Sequence, residues 1–251
     1  MDINLPPDLS SQNQKLEFLP DIQNHNHIKS VFPEDIRIFS DKIDPELSKY
    51  PFKISGLMDS WPAYNENKWN FEFLLEKFGF RSTVVEKGRK YTDEDWEQKV
   101  ITIYEYLELL KEQDLKKENL PKLWEEQKLI SQSAGKSHFS NYYLAQNALL
   151  TQIPKLLDDI DIPEFIATIN PDPEINCWFG PAATFTPFHT DPKDNVFCQV
   201  SGTKYFKLRF ENDPKNRFYC FLNSGESLFI PAGWEHQVMS KTKSFGVNFW
   251  M

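Results

Sequence analysis

The spacing of hydrophobic and polar positions changes along this chain. Up to about residue 170, apolar residues recur at helical intervals between short extended runs. From about 174 onward they fall into short β-type runs bounded by turn residues. In the first part, PFKISGLMDSWP (51–62) reads as a short strand closed by a Trp-Pro break. NFEFLLEKFG follows as a helix, with Asn70 as N-cap and Gly79 just past its end. STVVEKG is a second strand candidate. TIYEYLELLKEQ opens on a capping box, Thr102 with Glu105, and puts Ile103, Tyr106, Leu107 and Leu110 on one face. The lysine-rich stretch 111–137 reads as an exposed helix or insertion with a solvated face. YLAQNALLTQIPKLL returns to helical periodicity until Pro154 interrupts it.

The second part reads INCWFG, TFTPFHTD, VFCQV, KYFKLRF, FYCFLN, SLFIP, HQVMS and SFGVNFW, with turn-like SGT and NSG between some of them. So many short strands so close together predict an antiparallel sandwich or barrel. A mixed α/β N-terminal part would pack on it. Residues 1–14 are polar with a Pro pair and read as a mobile tail. Residues 15–140 then form the N-terminal part and 141–251 the β core.

Composition narrows the class. With 251 residues, 40% of them hydrophobic and 15% aromatic, the chain has enough apolar surface for a substantial core. No apolar run approaches the ~20 residues of a membrane helix. The opening MDINLPPDLSSQNQ has neither the basic nor the apolar region of a secretory signal. Cys177, Cys198 and Cys220 stand singly, which suits a reducing intracellular compartment, nucleus or cytoplasm, better than a disulfide framework or zinc finger. The net charge of −9 argues against nucleic-acid binding as the main activity. It tolerates a basic protein or peptide partner.

Candidate chemistry centres on FTPFHTDPKDN. Alternation puts His189 and Asp191 on one strand face, and His236 in FIPAGWEHQV lies in β-like surroundings further on. Two imidazoles and one carboxylate make a facial triad of the kind that holds non-haem iron with open positions. A hydrogen-bonded core histidine beside a surface aspartate satisfies the same spacing. In KYFKLRF the polar odd positions form the solvent side, so Lys204 falls on the apolar side with Phe206 and Leu208. A buried ammonium needs an anionic partner, and no acid flanks it in sequence. A carboxylate of a bound ligand would complete it; a place at the rim, with the amine reaching water, is the alternative.

These residues resemble the JmjC-domain Fe(II)- and 2-oxoglutarate-dependent oxygenases, and among them the arginyl C-3 hydroxylase subgroup around jumonji-domain-containing protein 5. The resemblance runs from about residue 50 to the end. VVEKGRKYTDEDWEQKVIT and YLAQNALLTQIP are distinctive of the subgroup. CWFGPAATFTPFHTDPKDNVFCQVSGTKYFKL and SGESLFIPAGWEHQV with FGVNFW mark JmjC domains in general. The fold implied is mainly β with flanking helices, a double-stranded β-helix of cupin type. The resemblance implies that His189, Asp191 and His236 ligate Fe(II) and that Lys204 binds the distal carboxylate of 2-oxoglutarate. It also implies that Tyr143, Thr186 and Asn195 contact the same cosubstrate and that Trp178 lines the pocket.

Strict alternation sets Thr186 opposite His189, so its role requires a bulge near Pro187. Core packing for Tyr143 and a turn role for Asn195 are the plainer readings. The short ENDPKNRFYC segment and the long 111–137 stretch depart from relatives, so substrate identity does not carry over. The expected activity is hydroxylation of a protein side chain, arginyl or similar, with succinate and CO2 released. Lysine demethylation, tRNA-base hydroxylation, a non-catalytic interaction module and a metal-dependent cupin isomerase are the rivals.

Overall fold

The structure, a computed structural model, describes residues 26–31, 36, 38–39, 42–88, 94, 96–115, 142–210 and 217–251. The tail at 1–14, the charged stretch from 116 to 137, and 211–216 of the short segment lie outside the described residues. The first described strands are β1 (Asn26–His27), β2 (Lys29–Val31), β3 (Ile38–Phe39), β4 (Lys42–Ile43) and β5 (Phe52–Ile54). Helix α1 (Pro45–Ser48) sits between β4 and β5, and α2 (Pro62–Asn65) and α3 (Phe71–Phe78) follow. Next come β6 (Ser82–Lys87), β7 (Glu97–Thr102), α4 (Ile103–Leu115) and β8 (Tyr142–Asn147).

Several local expectations are met for the reasons the sequence gives. Asn70 Oδ1 accepts the Phe73 amide at 2.9 Å and starts α3. At α4, Glu105 accepts the Thr102 amide at 2.7 Å while Thr102 Oγ1 accepts the Glu105 amide at 3.1 Å, a closed capping box. Ile103, Tyr106, Leu107 and Leu110 are all buried along its inner face.

One expectation needs correction. YLAQN is strand β8, because its edges are taken by β6 on one side and by the next strand on the other; a helix begins only at Leu149–Gln152. Pro154 opens a 3-10 turn, Pro154–Asp159. Strand β7 carries no alternating signal because it is the outermost strand of its sheet and is largely exposed.

Eight strands complete the chain: β9 (Glu174–Gly180), β10 (Phe185–Thr190), β11 (Asn195–Ser201), β12 (Thr203–Arg209), β13 (Arg217–Asn223), β14 (Ser227–Ile230), β15 (Glu235–Ser240) and β16 (Ser244–Trp250). They coincide with the eight runs read from the sequence. The small sheet has the order β1-β13-β12-β15-β10, and the large one β2-β5-β14-β11-β16-β9-β8-β6-β7. The chain passes back and forth between them, the double-stranded β-helix of cupins.

One apolar cluster fills the space between the sheets, with Phe197 and Leu228 from the large sheet against Phe206, Leu208 and Leu222 from the small. The other face of the large sheet packs the N-terminal aromatics: Trp69 lies 4.8 Å from Phe245 and Trp61 meets Phe249 edge-on at 6.0 Å. Strand β11 is therefore covered on both faces and reads as a nearly continuous apolar run. Pairings of β6 with β8, β5 with β14 and β1 with β13 run across residue 141 and tie the N-terminal part into both sheets.

Candidate active site

His189 on β10 and His236 on β15 are cross-strand partners, with ring centroids 4.2 Å apart. Asp191 follows just beyond the end of β10. The register of β10 against β15 shifts between Thr186 and His189, where Pro187 has no N–H to give the ladder. That bulge is the one required by the sequence, and it turns Thr186 into the same pocket as His189.

Each imidazole Nδ1 faces a carbonyl two residues back, Pro187 O at 2.8 Å and Trp234 O at 3.1 Å. With Nδ1–H donating there, each Nε2 keeps its lone pair. Those atoms lie 3.9 Å (His189) and 3.5 Å (His236) from the Asp191 carboxylate. The three donor atoms all lie within 4.8 Å of one another. His236 is 3% exposed, and burial first, then its neighbour His189, hold it well below the ordinary histidine range. It is thus a neutral imidazole, the form that ligates metal.

Lys204 on β12 is 2% exposed, so it does not reach water at a rim. Its Nζ donates to Tyr143 Oη at 3.0 Å and Ser240 Oγ at 3.1 Å, and no carboxylate among the described residues pairs with it. Burial pulls its pKa down to about 7. Tyr143 comes from β8, and Gly180 of β9 makes room for it: a Cβ there would lie 2.5 Å from the Tyr143 ring. Tyr143 therefore has a polar partner and a prepared seat inside the pocket, beyond plain core packing.

Asn195 is buried and holds both neighbours. Its Nδ2 donates to Asp191 Oδ2 at 2.7 Å, and its Oδ1 accepts from Asn248 Nδ2 at 3.1 Å. Trp178 Nε1 donates to Asn248 Oδ1 at 2.6 Å. All eight residues nominated from the sequence line one pocket, some 360 Å³ of space partly continuous with solvent. Its apolar walls are Phe197, Phe206, Ile230 and Val238, of which sequence reasoning named only Phe206, on the same strand face as Lys204. Ser240 and Asn248, which hydrogen-bond site residues, were also missed. The signal for Ser240 was its even spacing from His236 on β15. For Asn248 it was a polar residue inside the buried run FGVNFW.

Comparison with known proteins fits this geometry. Residues 45–216 match the family model of the cupin-like domain. The chain belongs to the cupin-like, JmjC-type domain family. The match covers His189, Asp191 and Lys204 but stops short of His236, which the fold brings back to the site.

JmjC relatives include lysine-specific demethylase 8 of Danio rerio, 31% identical over 249 residues, covering 85% of this chain and 55% of that protein. Lysine-specific demethylase JMJ30 of Arabidopsis thaliana is 31% identical, covering 80% of this chain and 49% of its own length. Jumonji C domain-containing protein 5 of Drosophila melanogaster is 29% identical, covering 80% and 54%. The chain thus spans about half the length of the curated relatives it matches. JmjC enzymes generally use Fe(II) and 2-oxoglutarate, and the convergent His-Asp-His donors fit a divalent metal of that kind.

Proposed function

We propose that this chain is an Fe(II)- and 2-oxoglutarate-dependent oxygenase that hydroxylates a protein side chain, arginyl or similar. The observation that carries the reading is a buried ammonium that has no acidic partner among the described residues, in the same pocket as a three-donor metal set. Ser240, opposite Lys204, lies four residues from His236 on the same face of β15, about 13 Å along the strand. A lysine side chain and a short dicarboxylate together span that gap. His189, Asp191 and His236 would hold the metal, and Lys204 would take the far carboxylate of 2-oxoglutarate. Tyr143 and Thr186 offer hydroxyls to the same ligand, and Asn195 has a second amide hydrogen to give.

Bound there, Fe(II) and 2-oxoglutarate supply oxidation of a C–H bond by O2, with succinate and CO2 as co-products. The chain's own residues bind, orient and keep water out: Phe197, Phe206, Ile230 and Val238 wall the pocket. Glu86 supports a basic substrate. It pairs with Tyr143 in the β6–β8 register, so both point to one face, and burial raises its pKa. The cation of an arginyl or lysyl side chain would give it a counter-charge.

The names of the relatives favour a second reading, lysine demethylation, which begins with the same hydroxylation at an N-methyl carbon. The experiment is succinate formation from 2-oxoglutarate with Fe(II) and air, alone and with basic peptides, for the native chain and His236→Ala. Peptide-stimulated turnover lost in the variant, with a peptide mass gain of one oxygen, is the expected result. Formaldehyde release would select demethylation, and an iron-loaded folded chain without turnover would leave an interaction module.

A further inference from the structure

Trp178 (β9), Asn248 (β16) and Asn195 (β11) come from three adjacent strands of the large sheet, all facing the pocket. Asn248 lies diagonally between the other two, since Trp178 pairs with Gly246 and Asn195 with Trp250. The three form one directional chain of hydrogen bonds. Indole N–H of Trp178 donates to Asn248 Oδ1 at 2.6 Å, Asn248 Nδ2 donates to Asn195 Oδ1 at 3.1 Å, and Asn195 Nδ2 donates to Asp191 Oδ2 at 2.7 Å.

The two ends decide the direction. An indole can only donate and an ionised carboxylate can only accept, so both carboxamides between them have one consistent orientation. Turning either one over would set donor against donor or acceptor against acceptor, at a site where Asn248 is 0% exposed. Among the described residues, Asn195 makes the hydrogen bond that holds the Asp191 carboxylate. Asn248 touches no metal donor itself.

We propose that Asn248 is a positioning residue for the metal centre. By accepting from Trp178 and donating to Asn195, it fixes the Asn195 amide and, through it, the rotation of the Asp191 carboxylate. This rests on the reading of His189, Asp191 and His236 as metal ligands. Partners that hold ligating carboxylates are worth about 10- to 100-fold in metal affinity when removed.

The test is a Co(II) titration of the full chain, followed by visible absorption, for the native protein, Asn248→Leu, Asn195→Ala and the double variant. Leucine matches asparagine in shape and suits the buried strand. If it prevents folding, Asn248→Ser, too short to bridge both partners, replaces it. The expected result is a roughly 10- to 100-fold weaker Co(II) affinity for Asn248→Leu with an altered Co(II) spectrum. The double variant should be no weaker than Asn195→Ala alone, since Asn248 acts only through Asn195. Native affinity in Asn248→Leu, or losses that multiply in the double variant, would overturn the proposal. A native chain that binds no Co(II) would overturn the metal-centre reading and this one with it.

Discussion

An ammonium with hydroxyls for partners keeps less stabilisation than water gave it, and at Lys204 this shows as a pKa lowered to about 7. The unfolded side chain titrates near 10.5. Between the two values the unfolded chain holds a proton that the folded chain has lost, so stability of the ligand-free protein should rise with pH across that window. Carboxylate binding needs the ammonium and should run the other way. Above about pH 7, 2-oxoglutarate affinity should fall by roughly tenfold per unit until the higher pKa that Lys204 has in the complex is passed. Isothermal titration between pH 6.5 and 8.5 with Mn(II) in place of Fe(II) measures this, and a flat profile would remove Lys204 from the binding role. Lys204→Met should weaken 2-oxoglutarate by about 10- to 100-fold, the worth of a charged hydrogen bond. Metal affinity should stay native in that variant.

At the scale of elements, helix α4 sets the position of β8. Tyr106 reaches from the buried face of α4 to accept the Leu144 amide at 3.1 Å and to donate to the Phe179 carbonyl. It thus stands between β8 and β9 where their register shifts. Its hydroxyl replaces a missing ladder bond, and burial pushes its pKa well above the ordinary tyrosine value, so it remains a donor. Tyr106→Phe leaves a buried N–H and C=O unpaired and should cost about 1–3 kcal/mol in urea unfolding. Since Tyr143 sits beside Leu144 on the same strand, 2-oxoglutarate affinity should fall too. A variant with native stability would show that the sheet holds β8 without the helix. The capping box and apolar face of α4 were legible because they are local. The strand character of YLAQN was not, because its partners lie thirty or more residues away on both sides.

For the whole molecule, the metal site is a link between sheets. His189 and His236 come from the small sheet, while Asn195, Asn248 and Trp178, which support Asp191, come from the large one. An ion bound to the folded site alone stabilises the native state by mass action, about 2.7 kcal/mol at a hundred times its dissociation constant. For a chain of this size that is a rise in Tm of roughly 5–11 °C. Scanning calorimetry with Mn(II) should show it, EDTA should reverse it, and His236→Ala should abolish it. An unchanged Tm in the native chain would argue against a preformed metal centre.

The strand-rich core, the helix starts and the chemistry of the triad follow from local pattern: period-two runs with turns between them, caps three residues apart, and an imidazole two positions from a carboxylate. The pairing of His189 with His236 and the direction of the Trp178–Asn248–Asn195 chain are different in kind. They depend on which strands lie side by side, and that is settled by burying both faces of the large sheet at once. A bulge at Pro187 then overrides alternation for Thr186. Lys204 shows the boundary well. Its sequence placed it on an apolar face, but only the closed sheets, with Tyr143 and Ser240 arriving from elsewhere, decided that it would be buried with no acid beside it among the described residues.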